Sequence, residues 1–131
     1  MTHRFDLRVY YEDTDLAGIV YYANYLKFIE RGRSEFVRAL GIDQIALQRG
    51  RGLVFAVRRL EAEYLQPAHF DDQLCVETIL QEMTGARIHL GQAVKRGESL
   101  LFSANITLVA LTGAGAPARI PADIRQKLTG I

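Results

Sequence analysis

A chain of 131 residues, 49% hydrophobic and 24% charged, has the balance of one globular domain able to bury a core without disulfide or metal support, and excludes a disordered or collagen-like polypeptide. Sixteen Lys and Arg against fifteen Asp and Glu leave a net charge of +1 with no basic block, which argues against a nucleic-acid binder that works by neutralising phosphates. No run approaches the ~20 apolar residues of a membrane span, Met1 to Asp6 holds no apolar signal core, and the lone Cys75 has no partner for an internal disulfide; these features predict a cytoplasmic protein that is not membrane-embedded.

Phe5, Leu7, Val9 and Tyr11 alternate with polar neighbours, the period of a half-buried strand, and the pattern stops at Glu12. From Tyr22 the period lengthens. Tyr22, Tyr25, Ile29, Phe36 and Leu40 form an apolar stripe opposite Asn24, Lys27, Arg31, Ser34 and Arg38, which predicts a helix of about five turns. Gly32 falls on that stripe, where glycine costs about 1 kcal/mol relative to alanine, so a close approach to another backbone is expected there. Gly41 supplies a stop. Asp43 is placed to cap a short second helix running through Gln48, before a loop at positions 49–52.

The remainder is patterned as strands. Val54, Ala56, Leu60, Ala62 and Tyr64 share one face of a long strand ended by Pro67, with Tyr64 assigned to the core. Leu74 to Leu80, Ile88 to Val94 and Leu100 to Leu108 follow, joined by short turns, and the four read as an antiparallel meander. Ala114 to Pro121 is a loose connector to a final helical stretch, Asp123 to Leu128. One helix cannot cover both faces of such a sheet, so this α+β layout predicts self-association.

The acidic run Glu12, Asp13 and Asp15, closed by Gly18, lies between the first strand and the long helix. A calcium loop fails, because Ala17 has no oxygen to offer at the fifth loop position and Asn24 stands at the twelfth. An aspartyl-phosphate nucleophile of the haloacid-dehalogenase type needs a parallel sheet, which the antiparallel pattern contradicts. The remaining reading uses position. A turn through Gly18 folds the Asp15 carboxylate back towards the amides of the first helical turn, where a bound carbonyl is polarised and Asp15 can attack it or activate a water.

The stretch from Tyr11 to Tyr25, with Asp15, Gly18, Tyr22 and Asn24 in place, followed by Lys27-Phe28 and Glu30 to Arg33, resembles the signature of hotdog-fold acyl-CoA thioesterases of the 4-hydroxybenzoyl-CoA thioesterase class. Within that class it is most similar to the bacterial branch associated with the Tol–Pal cell-envelope system. The likeness continues through Phe55 to Arg59, Glu63 to Ala68 and Phe70 to Asp72, so it covers nearly the whole chain as a single hotdog domain, 1–131. One departure is at Tyr22, where Tol–Pal-branch members often carry His.

The resemblance implies a five-stranded antiparallel sheet wrapped around the long helix, paired edge to edge into dimers and then into a homotetramer. It implies Asp15 as the catalytic carboxylate, acting as nucleophile or general base, and the Tyr22 amide as the group that holds the thioester carbonyl. Gly18, Ile19, Val20, Tyr21 and Asn24 are then expected along the substrate, although Asn24 is equally suited to capping the first turn. Arg87 is the candidate for the nucleotide phosphates of coenzyme A, and no metal or cofactor is implied.

Acyl-CoA is the expected substrate, with an acyl carrier protein or envelope machinery as further candidate partners. The competing class is a non-catalytic acyl-binding scaffold that kept the fold. Hotdog dehydratases use a histidine at the helix, and none occurs between His3 and His69. Those two and His89 read as surface or structural residues, and Cys75 as a small strand hydrophobe.

Overall fold

The computed structural model describes residues 1–130. Strand β1 (His3–Arg8) leads through a single 3₁₀ turn (Tyr11–Asp13) to helix α1 (Asn24–Ala39) and helix α2 (Gln44–Arg51). Strands β2 (Leu53–Tyr64), β3 (Gln73–Met83), β4 (Arg87–Arg96) and β5 (Ser99–Thr112) follow, and α3 (Ala122–Thr129) ends the described chain.

All pairings are antiparallel, in the order β1-β3-β4-β5-β2. This corrects the expected four-strand meander. Only β3, β4 and β5 are sequential neighbours, whereas β2 pairs with β5 at one edge and β1 with β3 at the other. The connection 65–72 carries the chain across the end of the sheet: the Leu65 and Gln66 amides both donate to the Leu101 carbonyl, and Asp71 and Asp72 bond Val9 on the far side.

Helix α1 lies across β1, β3 and β4. A close approach is present at Gly32, but to a side chain and not to the backbone that was expected, for a Cβ there would stand 2.5 Å from Val76 Cγ1 on β3. Beside it the buried Gln92 Nε2 donates to the Ile29 carbonyl and to Thr78 Oγ1, both at 2.9 Å, so a polar side chain inside the core has its bonds made. Asp43 caps α2 by accepting from the Ala46 amide at 3.0 Å. That helix runs past Gln48 to Arg51, because the left-handed residue that ends it is Gly52, φ +63°, and not the first glycine after Gln48.

Two further expectations are corrected. α1 begins at Asn24 instead of Tyr22, and Asn24 is buried, not on the polar face, whereas Tyr22 is 61% exposed. On β2 a bulge between Val57 and Arg59 reverses the inward parity, so Phe55 packs against the core before it and Leu60 and Ala62 after it. The outer sheet face, with Ile79 exposed among Glu61, Glu77 and Asn105, has none of the described helices over it. None of the described helices is long and apolar enough to cross a membrane.

Candidate active site

Two aspartates two residues apart are handled differently by the backbone. The Asp13 carboxylate, 7% exposed, accepts from the Tyr10 amide at 2.8 Å and closes the 3₁₀ turn. The Asp13 carbonyl accepts from the Tyr21 amide and from Asn24 Nδ2, each at 2.9 Å. Asp13 and Asn24 therefore staple the chain entering α1, and Asn24 serves that staple in place of a cap on its own helix.

Asp15 opens a tight turn. Gly18 donates back to the Asp15 carbonyl at 3.0 Å, the Asp15 amide donates to Ile19, and Asp15 Oδ1 accepts from the Ala17 amide at 2.9 Å. Aspartate first and glycine fourth suit a type I turn closed by a residue in the left-handed region, and Gly18 sits at φ +80°. The loop is thus a small hairpin with the fully exposed Leu16 at its tip, pinned at its base by Thr14 pairing with Val20. The carboxylate was expected to fold onto the helix amides. Instead it stays exposed, and among the described residues its one hydrogen bond lies within its own turn.

Those helix amides are open. Among the described residues, no backbone or side-chain acceptor meets the Tyr22 or Ala23 N–H, and no side chain caps α1. Orphan donors at a helix start, with the positive end of the helix dipole behind them, attract an anion or a polarised carbonyl oxygen.

Beside them lies a cleft of about 340 Å³ whose walls include Ile19, Val20, Tyr22, Tyr25, Tyr64 and Pro67. Five of the six tyrosines of the chain, Tyr11, Tyr21, Tyr22, Tyr25 and Tyr64, make aromatic contacts at this end of the molecule. Tyr25 is buried and stacks on Phe102 at 5.0 Å, and Tyr64 meets Phe102, Tyr25 and Tyr22 edge-on. Tyr11 stacks on Phe70 at 4.2 Å, joining the acidic loop to connection 65–72.

That connection is held firmly. Val20 donates to the Ala68 carbonyl at 2.9 Å, the Ala68 amide donates to Tyr25 Oη at 3.1 Å, and Arg96 donates to the Pro67 carbonyl and to Asp72 Oδ2. Burial by itself raises the Asp72 carboxyl, but the His69 N–H and the Arg96 guanidinium more than offset it and hold the group below its usual range.

Of the predicted site residues, Ile19, Val20 and Tyr22 line the cleft, while Asp15, Gly18 and Tyr21 belong to the hairpin and turn leading into it. Arg87 does not join them within one chain. Its register partners are Val109 and, beyond, Ala56, whereas the cleft lies at Tyr64 and Phe102, about 25 Å away along the strands at ~3.3 Å per residue. Tyr64, predicted to be a core residue, is 48% exposed and lines the cleft. Its position ahead of Pro67 at the end of a strand was the available signal. Cys75 lies on β3 paired with Asp6, where burial, followed by the Asp6 hydrogen bond, pushes its thiol pKa up.

Residues 17–103 match the model of the thioesterase superfamily. An acyl-CoA thioesterase named YbgC from Haemophilus influenzae is 38% identical over 122 residues, spanning 92% of this chain and 90% of that protein. A probable thioesterase from Bartonella henselae, 40% identical, superposes with a TM-score of 0.89 over 92% of this chain and 100% of its own. A variant of 4-hydroxybenzoyl-CoA thioesterase bound to 4-hydroxybenzoyl-CoA reaches a TM-score of 0.90 at 22% identity, covering 97% of this chain and 98% of that one, a likeness of fold alone. The sheet order, the long helix and these matches agree: this hotdog-fold chain is a thioester hydrolase that belongs to the thioesterase superfamily.

Proposed function

We propose that this protein hydrolyses acyl-CoA thioesters to a free acid and coenzyme A, with Asp15 as nucleophile or general base and the amides at the start of α1 polarising the thioester carbonyl. The observation that carries the reading is the pairing of orphan amides, Tyr22 and Ala23 among them, with a cleft of largely apolar lining beside them. Among the described residues Asp15, at the base of the adjoining hairpin, takes part in no salt bridge, whereas Asp13 is committed to the fold.

As the carbonyl carbon becomes tetrahedral, its oxygen gains negative charge, and donors fixed beforehand stabilise it without reorganising. In the nucleophilic route Asp15 forms a mixed anhydride as the coenzyme A thiolate leaves, and water then cleaves the anhydride to release the acid. In the general-base route Asp15 takes a proton from the water that attacks. Both routes consume one water per thioester.

The open β2 edge and the uncovered outer face support a homotetramer built from edge-paired dimers. Two-fold pairing of β2 with its copy runs antiparallel, which brings the partner subunit's Arg87 end beside this Tyr64 end. That arrangement supports a role for Arg87 towards coenzyme A phosphates across the interface. The likeness to the Tol–Pal-associated branch extends the reading to a cytoplasmic enzyme serving the cell envelope.

The test is hydrolysis of short-chain, long-chain and aromatic acyl-CoAs followed by free-thiol detection, with the mass measured by light scattering. Turnover of at least one class by an oligomer is expected. Binding without turnover in the wild type would favour the acyl-binding scaffold.

A further inference from the structure

Among the described residues, no backbone N–H donates to the Tyr22 carbonyl. Leu26, which would serve it in a regular helix, donates instead to Ala23 at 3.1 Å, and the donor that does reach Tyr22 O is the Tyr64 hydroxyl at 2.9 Å. This bond spans from the end of β2 to the turn before α1 and is separate from the staple made by Asp13 and Asn24.

The Tyr22 carbonyl and the Ala23 N–H belong to one planar trans peptide and point in opposite directions. A donor that grips the carbonyl therefore fixes the direction of the orphan N–H on the other side. It also polarises that peptide, which makes the N–H a stronger donor. Tyr64 is well placed to hold still. Its ring meets Phe102 at 5.0 Å and Tyr25 at 5.5 Å, and the two residues after it are anchored to the Leu101 carbonyl.

We propose that Tyr64 is a positioning residue for thioester hydrolysis, its hydroxyl locking the Tyr22–Ala23 peptide so that the free amide is aimed before substrate arrives. The inference rests on the thioesterase reading and adds to it a specific lever on the donors. Burial and the neighbouring Tyr22 and Tyr25 raise the Tyr64 phenol pKa, so the group stays protonated and donating at neutral pH. The effect belongs in the transition state, where the carbonyl oxygen carries charge, so it is expected in kcat more than in KM.

The test compares wild type, Tyr64→Phe and Tyr11→Phe in steady-state acyl-CoA hydrolysis, and follows the Ala23 amide by NMR shift and hydrogen exchange. Tyr64→Phe keeps the ring and its packing, while Tyr11→Phe removes a tyrosine hydroxyl at the same end without touching the peptide. The expected result for Tyr64→Phe is a fall in kcat of about three- to tenfold, the size of one lost hydrogen bond, with KM changed less than about twofold. Its Ala23 amide shifts and exchanges faster, and Tyr11→Phe stays near wild type.

An active wild type with Tyr64→Phe equally fast overturns the inference and leaves the thioesterase reading intact. A slower Tyr64→Phe with an unmoved Ala23 amide, or an equal loss in Tyr11→Phe, assigns the effect to packing and overturns it as well. A wild type that hydrolyses no acyl-CoA removes the thioesterase reading and this inference together.

Discussion

At its C-terminus α1 closes its own hydrogen bonds: Leu40 donates to Phe36 and Val37, Gly41 to Arg38 and Ile42 to Val37, while Lys127 Nζ reaches the Gly41 carbonyl. At its N-terminus, among the described residues, the same helix leaves the Tyr22 and Ala23 amides without acceptors and without a side-chain cap. A missing cap typically costs about 1 kcal/mol. The difference shows where the fold gives way to chemistry, since donors that serve no structural bond, set beside a cleft, remain available to a ligand.

The largest effect expected from this contrast is at Asp15. Asp15→Asn keeps the shape, and its side-chain oxygen can still accept from Ala17, but it removes the charge. It should lower kcat at least about a hundredfold with little change in melting temperature. Asp13→Asn should do the reverse, costing about 1 kcal/mol of stability and little turnover, because that carboxylate serves the buried turn. Steady-state kinetics and thermal melts on both variants check the assignment, and exchanged phenotypes would break it.

Two glycines sharpen the contrast further. Gly18 and Gly41 sit at φ +80° and +82°, and a Cβ at either would meet nothing within 4 Å, so only backbone strain separates them from other residues. Valine at either position should cost about 1–2 kcal/mol of stability. If Asp15 carries the reaction as proposed, only Gly18→Val should also cost activity, about tenfold or more, because its turn holds that residue. Equal losses of activity in both would mean that turnover follows global stability and not the hairpin.

How much of this was legible in the sequence depends on the range over which each feature is decided. The Asp15–Gly18 turn, the Gly41 stop and the Asp43 cap follow from local backbone chemistry and were readable from single residues, whereas at Gly32 a close neighbour was readable but not that it is the Val76 side chain. The β2 bulge and the pairing of β2 with β5 depend on partner strands distant in sequence, and a one-residue insertion in register reverses every face beyond it. Asn24 was placed on the polar face because periodicity cannot show that the Asp13 carbonyl would come to meet it. Tyr64 was placed in the core for the same reason, as its hydroxyl partner is a carbonyl 42 residues away.

Acid offers a smaller probe of the same end. Asp72 has a depressed folded pKa, so its stabilising effect is complete above the unfolded value of about 3.9 and is lost as pH falls through the folded value. It ties Arg96 and the His69 amide across connection 65–72. Denaturant unfolding at neutral pH and below about pH 3 should show wild type losing more stability than Asp72→Asn on acidification. Parallel losses would place the acid sensitivity elsewhere, with the surface pair Arg51–Asp123, whose carboxyl is lowered to about 2, as the next group to examine.

The smallest effect belongs to Cys75. With its thiol pKa raised on β3 by burial and the Asp6 hydrogen bond, Cys75→Ser should leave kcat within about twofold of wild type and cost at most about 1 kcal/mol. A dead but folded variant would require a different nucleophile.

The most direct measurement is an amide NMR titration of the protein with an acyl-CoA analogue in which a methylene replaces the thioester sulfur, so that the carbonyl is present but cannot be hydrolysed. The account predicts that the Tyr22 and Ala23 amide protons move downfield on binding while Gly41 and Ile42 at the far end of α1 stay still. Saturable binding that leaves Tyr22 and Ala23 unmoved would contradict it.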